Sequence, residues 1–290
     1  MILNAKMIVI VLIVLLLLFV FISPMSGQSA SLEKSLNAGE ALIWYLHHSG
    51  WAVKTQAHFL IFDYIEKGSK PEDAALAKGW IDTQELKEEQ VFVFISHDHG
   101  DHFDPRILDL EKTHAHITYI FGWGAKHSPK CVTLDQPRSR ITLGDMEIFT
   151  INHAFDNIPE AAFLVKVDGL VIFHSGDHGS TGPVINPIFK NNIDYLAQKS
   201  QNVDIAFISQ FGSRSREEIN VGDLYTINTM RPIATFPMHR GGGEDSYKKF
   251  AEEAQKKMAQ TQVMCSEARG DGFFYGNGVI AKLIEGERDE

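Results

Sequence analysis

From residue 40 onward, short apolar runs alternate with polar breaks that carry Gly, Pro, Asp or Asn. Runs at 41–46, 51–54 and 58–64 are too short for helices and rich in aromatic and β-branched residues, so they predict strands, the last two joined as a hairpin around 55–57. Residues 66–90 read as a connector, with an Ala-rich helical turn and, at Asp82 or Thr83, a helix N-cap. A buried strand follows at 91–95, then a helix from Asp104-Pro105 to about Thr113 and a strand at 116–121. Between 132 and 152 the pattern predicts short strands with turns at Gln136-Pro137 and Gly144-Asp145. Asp168-Gly169 between the apolar runs 162–166 and 170–173 is the strongest hairpin signal, since Asp-Gly suits a type I′ turn. Later strands are expected at 204–209, 233–237, 272–275 and 279–284, with helices at 223–229 and 244–259. Residues 180–203 receive no element, and no tandem repeat is evident.

Ahead of this pattern stands a different one. Residues 7–22 form an uninterrupted apolar run of sixteen, preceded by Lys6 and followed by Pro24 and Gly27. This layout predicts an export signal or membrane anchor over 1–30 and a single catalytic domain over 31–290. The run falls between a signal core and a full bilayer span, so cleavage near Gly27 to Ala30 and retention as an anchor both stand. Either way the domain is expected outside the cytoplasm, periplasmic, extracellular or anchored to the membrane.

Charge narrows the partners. The net charge is -10, and without Lys6 the remaining 26 basic residues face 37 acidic ones. Such a surface repels phosphate backbones, which argues against nucleic acid and for a small-molecule or lipid substrate. Two cysteines far apart, Cys131 and Cys265, exclude a disulfide framework or a cysteine-based zinc site and read as core thiols.

The chemistry concentrates where the strand at 91–95 stops. His97-Asp98-His99-Gly100-Asp101-His102 places three histidines and two aspartates within six residues, around a glycine that permits a turn. Imidazole with carboxylate is the donor set of zinc and its first-row neighbours. Three further apolar runs also end in, or just before, a side chain of this kind, at His153, Asp177 and His239. Strand ends are rigid enough to fix ligand geometry, so these four points predict a two-metal site at one edge of a sheet structure.

The His-x-His-x-Asp-His loop, followed by a later His, Asp and final His, resembles the metallo-β-lactamase superfamily of hydrolases. The segments Leu46-His47-His48-Ser49-Gly50, Phe62-Asp63-Tyr64 and Phe236-Pro237-Met238-His239 are similar to its ascorbate-6-phosphate lactonase-like and N-acyl-phosphatidylethanolamine phospholipase D-like branch. The resemblance implies an α/β fold, a four-layer αββα sandwich of two mixed sheets with outer helices. It implies that His97, His99 and His153 hold one divalent metal, that Asp101, His102 and His239 hold another, and that Asp177 bridges them. Zinc is the expected metal, with manganese or iron(II) as alternatives. One departure is His178, where the family commonly has a smaller residue.

Two cations about 3.5–4 Å apart lower the pKa of a shared water from about 15.7 to about 7, which provides a hydroxide nucleophile. Asp101 and Asp177 are the carboxylates expected to take part directly, Asp101 handling the water proton. Ser96 and Ser175 then serve as hydrogen-bonding neighbours of the ligands. His48, His178 and Arg240 are candidates for supporting the ligands or contacting substrate, and Arg214 and Arg216 could also contact a phosphate or carboxylate. Trp51, Trp123, Phe155 and Phe211 line either the pocket mouth or the core. The expected reaction is hydrolysis of an ester, lactone, amide or phosphodiester. The alternatives are a metal-binding scaffold without turnover and a lactam-hydrolysing enzyme. Redox members typically carry Glu where His99 stands, and nuclease members fit poorly with the acidic charge and the 61 residues between Asp177 and His239.

Overall fold

The computed structural model describes residues 35–124, 128–155, 158–181, 183–200, 202–210, 219–258 and 260–283. These belong to one compact unit, Leu32–Leu283. The apolar run 7–22, Phe211, Arg214, Arg216 and the side chain of Phe155 lie outside the described residues.

In chain order, the first sheet takes β1 (Ala41–His47), β2 (Gly50–Lys54), β3 (Phe59–Phe62), β4 (Val91–Ile95), β5 (Ile117–Phe121) and β6 (Cys131–Thr133). The second takes β7 (Arg138–Leu143), β8 (Met146–Phe155), β9 (Ile158–Val167), β10 (Leu170–His174), β11 (Ile205–Ser209), β12 (Ala234–Met238) and β13 (Gln262–Val263). β14 (Gly272–Gly276) and β15 (Val279–Lys282) return to the first sheet beside β1. Both sheets are mixed: β1 to β3 pair antiparallel and β3 to β6 parallel, while β7 to β10 pair antiparallel and β10 to β13 parallel.

Strand periodicity explains the layers. Successive side chains point to opposite faces, so Ala41, Ile43 and Tyr45 of β1 and Phe92 and Phe94 of β4 enter the core between the sheets. Their neighbours Leu42, Trp44, Leu46, Val91, Val93 and Ile95 face an outer core. β11 divides likewise, with Ile205 and Phe207 inward and Ala206 and Ile208 outward against the helices. Burial on both faces is why these strands read as continuous apolar runs.

The outer layers differ. The second sheet is covered by α1 (Pro187–Lys199), α2 (Val221–Met230) and α3 (Asp245–Lys257), whose Phe189, Ile193, Ile227 and Phe250 share its outer core. The first sheet is covered by irregular chain and two 3₁₀ segments, Leu76–Lys78 and Pro105–Lys112. The helix expected after Asp104-Pro105 therefore forms at the right place but is wound as 3₁₀. The helix expected at Asp82 or Thr83 is absent: Asp82 Oδ1 accepts from Gln84 N at 3.1 Å, which closes a local turn instead. α1 was not anticipated, although Asn186 caps it by accepting from Ile188 N at 2.8 Å and Pro187 occupies the first turn. β8 and β9 reach ten residues each, longer than the short strands expected.

At Asp168-Gly169 both residues take positive φ, 48° and 79°, as a type I′ turn requires. Asp168 also accepts from Ala57 N at 2.8 Å and meets Thr55 and His58. This ties the β2–β3 hairpin to the β9–β10 hairpin at the far end of β9 from the ligand-rich edge. Trp51 is fully buried against Phe207 and Phe236, and Trp123 packs on Phe103 and Phe121, so both are core residues. Cys131 and Cys265 are free thiols.

Candidate metal centre

Five strand ends converge at one edge. β3 delivers Asp63, β4 the loop 96–102, β10 leads to Asp177, β12 delivers His239, and the bend after β1 delivers His48. Four of the residues here, His47, His48, Asp63 and His239, hold positive φ without being glycine. Each such residue costs free energy, and strain of this kind persists where surrounding contacts enforce it.

Asp63 is the anchor. It is fully buried, accepts from Ser96 N at 2.7 Å and Ser96 Oγ at 2.7 Å, and receives His102 Nδ1 at 2.8 Å. Burial opposes its ionisation, but the charge and hydrogen bond of His102 hold its carboxyl below the usual range. With Nδ1 of His102 so engaged, Nε2 is left to face Asp177 Oδ1 at 3.1 Å. Ser96 Oγ also contacts His97 Nδ1 at 2.9 Å, which orients that ring. Ser96 thus sits beside two ligand candidates, whereas Ser175 Oγ serves the backbone, donating to Gly176 O and accepting from Ser209 N.

Asp177 joins two groups. Its Oδ1 lies 3.1 Å from His102 Nε2 and 3.1 Å from His239 Nε2, while its Oδ2 lies 3.7 Å from His97 Nε2. Burial disfavours its charge, yet His102 and His239 outweigh that and hold the carboxyl far below its ordinary value. The turn that presents it needs Gly176, at φ 52°, because a Cβ there would stand 2.5 Å from Ala161 O and 2.8 Å from Ser96 Cβ.

Two sets of side chains bring one ligand-type atom each within 4.8 Å of one another. His48, Asp101, His102 and His239 form one; His97, His99, Glu160 and Asp177 form the other. His97 Nε2 and His99 Nδ1 approach to 2.9 Å. The buried His102 Nε2 and Asp177 Oδ1 make no hydrogen bond despite their closeness. Imidazole nitrogens and carboxylate oxygens converging in this way, with His102 Nε2 and Asp177 Oδ1 buried and not hydrogen-bonded, suit divalent cations of the first transition row. A third set, His58, Asp145 and Asp168, lies with the far-end hairpin turn.

His153 is the predicted ligand that falls outside these sets. It lines a cavity of about 100 Å³ together with Glu160, Asp177, His178, Ser180, Asn186 and Phe189, its ring 6.4 Å from that of His178. His178 is buried and stacked on Phe189 at 4.9 Å, with Nε2 lacking a hydrogen bond. Burial, helped by His153, pushes its imidazole down to about 3, so the ring is neutral near pH 7. This bulky residue makes the cavity wall where a smaller one was the family norm.

His48 and Arg240 are both held at the edge. Gly241 N donates to His48 Nδ1 at 3.1 Å, which leaves His48 Nε2 carrying its proton toward Asp101 Oδ2 at 3.3 Å. The imidazole of His48 leads the effects that hold the Asp101 carboxyl below its normal range. Arg240 N donates to Tyr247 Oη at 2.9 Å, and its guanidinium donates to Gln210 O at 2.8 Å. His174 is structural: Nε2 faces Ser49 O at 3.0 Å and Nδ1 accepts from Gly176 N at 3.2 Å.

Two residues that the structure brings to this edge escaped the sequence reading as site residues. Asp63 ends the apolar run 59–62 as the other candidates end theirs, so the same rule could have found it. Glu160 is the lone acid opening β9, and only its pairing opposite His153 marks it.

The family described as Beta-lactamase superfamily domain matches residues 42–198. A search of curated proteins returned no match. Among solved structures, the chain is similar to Igni18, a metallo hydrolase from Ignicoccus hospitalis, with TM-score 0.57, 14% identity, and coverage of 81% of this chain and 98% of that one. It is similar to CmlA, a diiron β-hydroxylase from Streptomyces venezuelae, with TM-score 0.57, 11% identity and 86% coverage, spanning 55% of that longer chain. It is also similar to an isothiocyanate hydrolase from Delia radicum gut bacteria, with TM-score 0.51, 10% identity, and 80% and 97% coverage. At these identities the structures speak for the fold, and the matched segment covers more than half the sequence. The chain belongs to the metallo-β-lactamase superfamily.

Proposed function

We propose that this protein is a binuclear metal-dependent hydrolase cleaving an ester, lactone, amide or phosphodiester bond of a small molecule or lipid. The observation that carries the reading is Asp177, whose two oxygens address different ligand sets, Oδ1 toward His102 and His239 and Oδ2 toward His97. A carboxylate so placed can bridge two cations. When bound, divalent metals supply Lewis-acid polarisation and an acidified water.

The chain's own residues do the rest. His48 Nε2 and Asp101 Oδ2 pair at 3.3 Å at the open side of the site, where Asp101 is exposed and placed to accept a proton from water. Arg240, half-buried and held by Gln210 and Tyr247, presents a fixed cation for a phosphate or carboxylate of the substrate. Motif likeness favours the lactone and phosphodiester end of the range. The apolar segment 7–22 supports action outside the cytoplasm.

The test is a panel of lactone, phosphodiester, ester, amide and lactam substrates of graded acyl length, offered to protein reloaded with zinc, manganese or iron(II). Hydrolysis of one class that chelator abolishes and metal restores is the expected result. Full metal loading without turnover on any class would point to a scaffold.

A further inference from the structure

β8 and β9 pair antiparallel with His153 directly opposite Glu160. Residues opposite one another in such a ladder project to the same face, so this one rung offers an imidazole and a carboxylate to the same cavity, and both line it. Their reach differs. Glu160 brings a carboxylate oxygen within 4.8 Å of ligand atoms from His97, His99 and Asp177, and His153 does not belong to that set.

We infer that Glu160 is a ligand of the metal ion at the His97–His99 centre, taking the place that the family resemblance implies for His153. The inference rests on the binuclear reading above and deepens it. The centre then has two imidazoles and two carboxylates instead of three imidazoles and one carboxylate. Carboxylate oxygen is a harder donor than imidazole nitrogen, so the exchange moves the site toward manganese or iron(II) and away from the zinc expected from sequence. It also adds a negative charge, which raises affinity for a dication at a buried position.

The experiment is a metal titration that needs no substrate. The full chain, purified in detergent and stripped with chelator, is titrated with Mn²⁺ and separately with Zn²⁺ by calorimetry, and with Co²⁺ by visible absorption. Wild type is expected to take two equivalents. Glu160→Gln is expected to weaken one of the two steps by at least ~10-fold, to alter the cobalt spectrum, and to lower Mn²⁺ affinity more than Zn²⁺ affinity. His153→Ala is expected to disturb both steps less than Glu160→Gln does. Glu160→Asp, which shortens the reach and keeps the charge, serves if the amide variant does not fold, and the same weakened step is expected. Two unaltered binding steps and an unaltered cobalt spectrum in a folded Glu160 variant would overturn this inference while leaving the binuclear reading intact. A wild-type protein that takes up no metal would overturn both.

Discussion

Asp63 Oδ2 accepts from His102 Nδ1 at 2.8 Å, and this buried bond sets which nitrogen of His102 faces Asp177. The carboxylate thereby orients a candidate ligand without belonging to either set of ligand atoms. Residues that orient metal-bound histidines typically influence affinity about 10–100-fold. Asp63→Asn should weaken metal binding by about that much, measured by competition against a chelator of known affinity. Unchanged affinity in a folded variant would show that His102 is oriented by other contacts.

Removing a central ligand should cost far more activity than stability. The three cores of the sandwich are filled by aliphatic and aromatic side chains, so folding does not depend on the metals alone. His97→Ala or Asp177→Ala should lower hydrolysis by about 10³-fold or more while the circular dichroism spectrum stays native. A variant retaining near wild-type rates would exclude the ligand role of the residue changed.

Asp223, buried in the first turn of α2, has its carboxyl pushed up to about 8 by burial, against hydrogen bonds from Asn220. The folded protein therefore holds a proton there that the unfolded chain releases above about pH 4. Folding stability from this group is fully present below that pH and is lost as pH rises through the window up to about 8. Asp223→Asn, which cannot ionise, should raise the melting temperature at pH 8.5 by at least ~2 °C and leave that at pH 4 nearly unchanged. Equal shifts at both pH values would contradict the assignment.

The side of the membrane can be tested directly. Lys6 precedes the apolar run and no basic residue follows until Lys34, so the positive-inside rule sends the domain outward. Protease added to intact cells or spheroplasts should degrade the domain. Survival until lysis would mean the opposite orientation.

Much of this protein was legible as pattern. Runs buried on both faces announce themselves as continuous apolar stretches, which is why β4 and β11 were recognised, and the Asp168-Gly169 turn followed from the conformations those two residues tolerate. The ligand-rich loop 97–102 was legible because its residues are neighbours in the chain. Other features needed the third dimension. A 3₁₀ segment and an α-helix share nearly the same sequence preferences, so the winding of Pro105–Lys112 was decided by packing on the first sheet. Asp63 reaches His102 across 39 positions, and Glu160 meets His97 and His99 from the other sheet. His153 was legible from the sequence and Glu160 was not, because which one approaches the first centre depends on side-chain reach and on where β9 lies against β4. A sequence specifies which donors are available; the relative placement of two sheets, which arises from the packing of their shared core, selects those that converge.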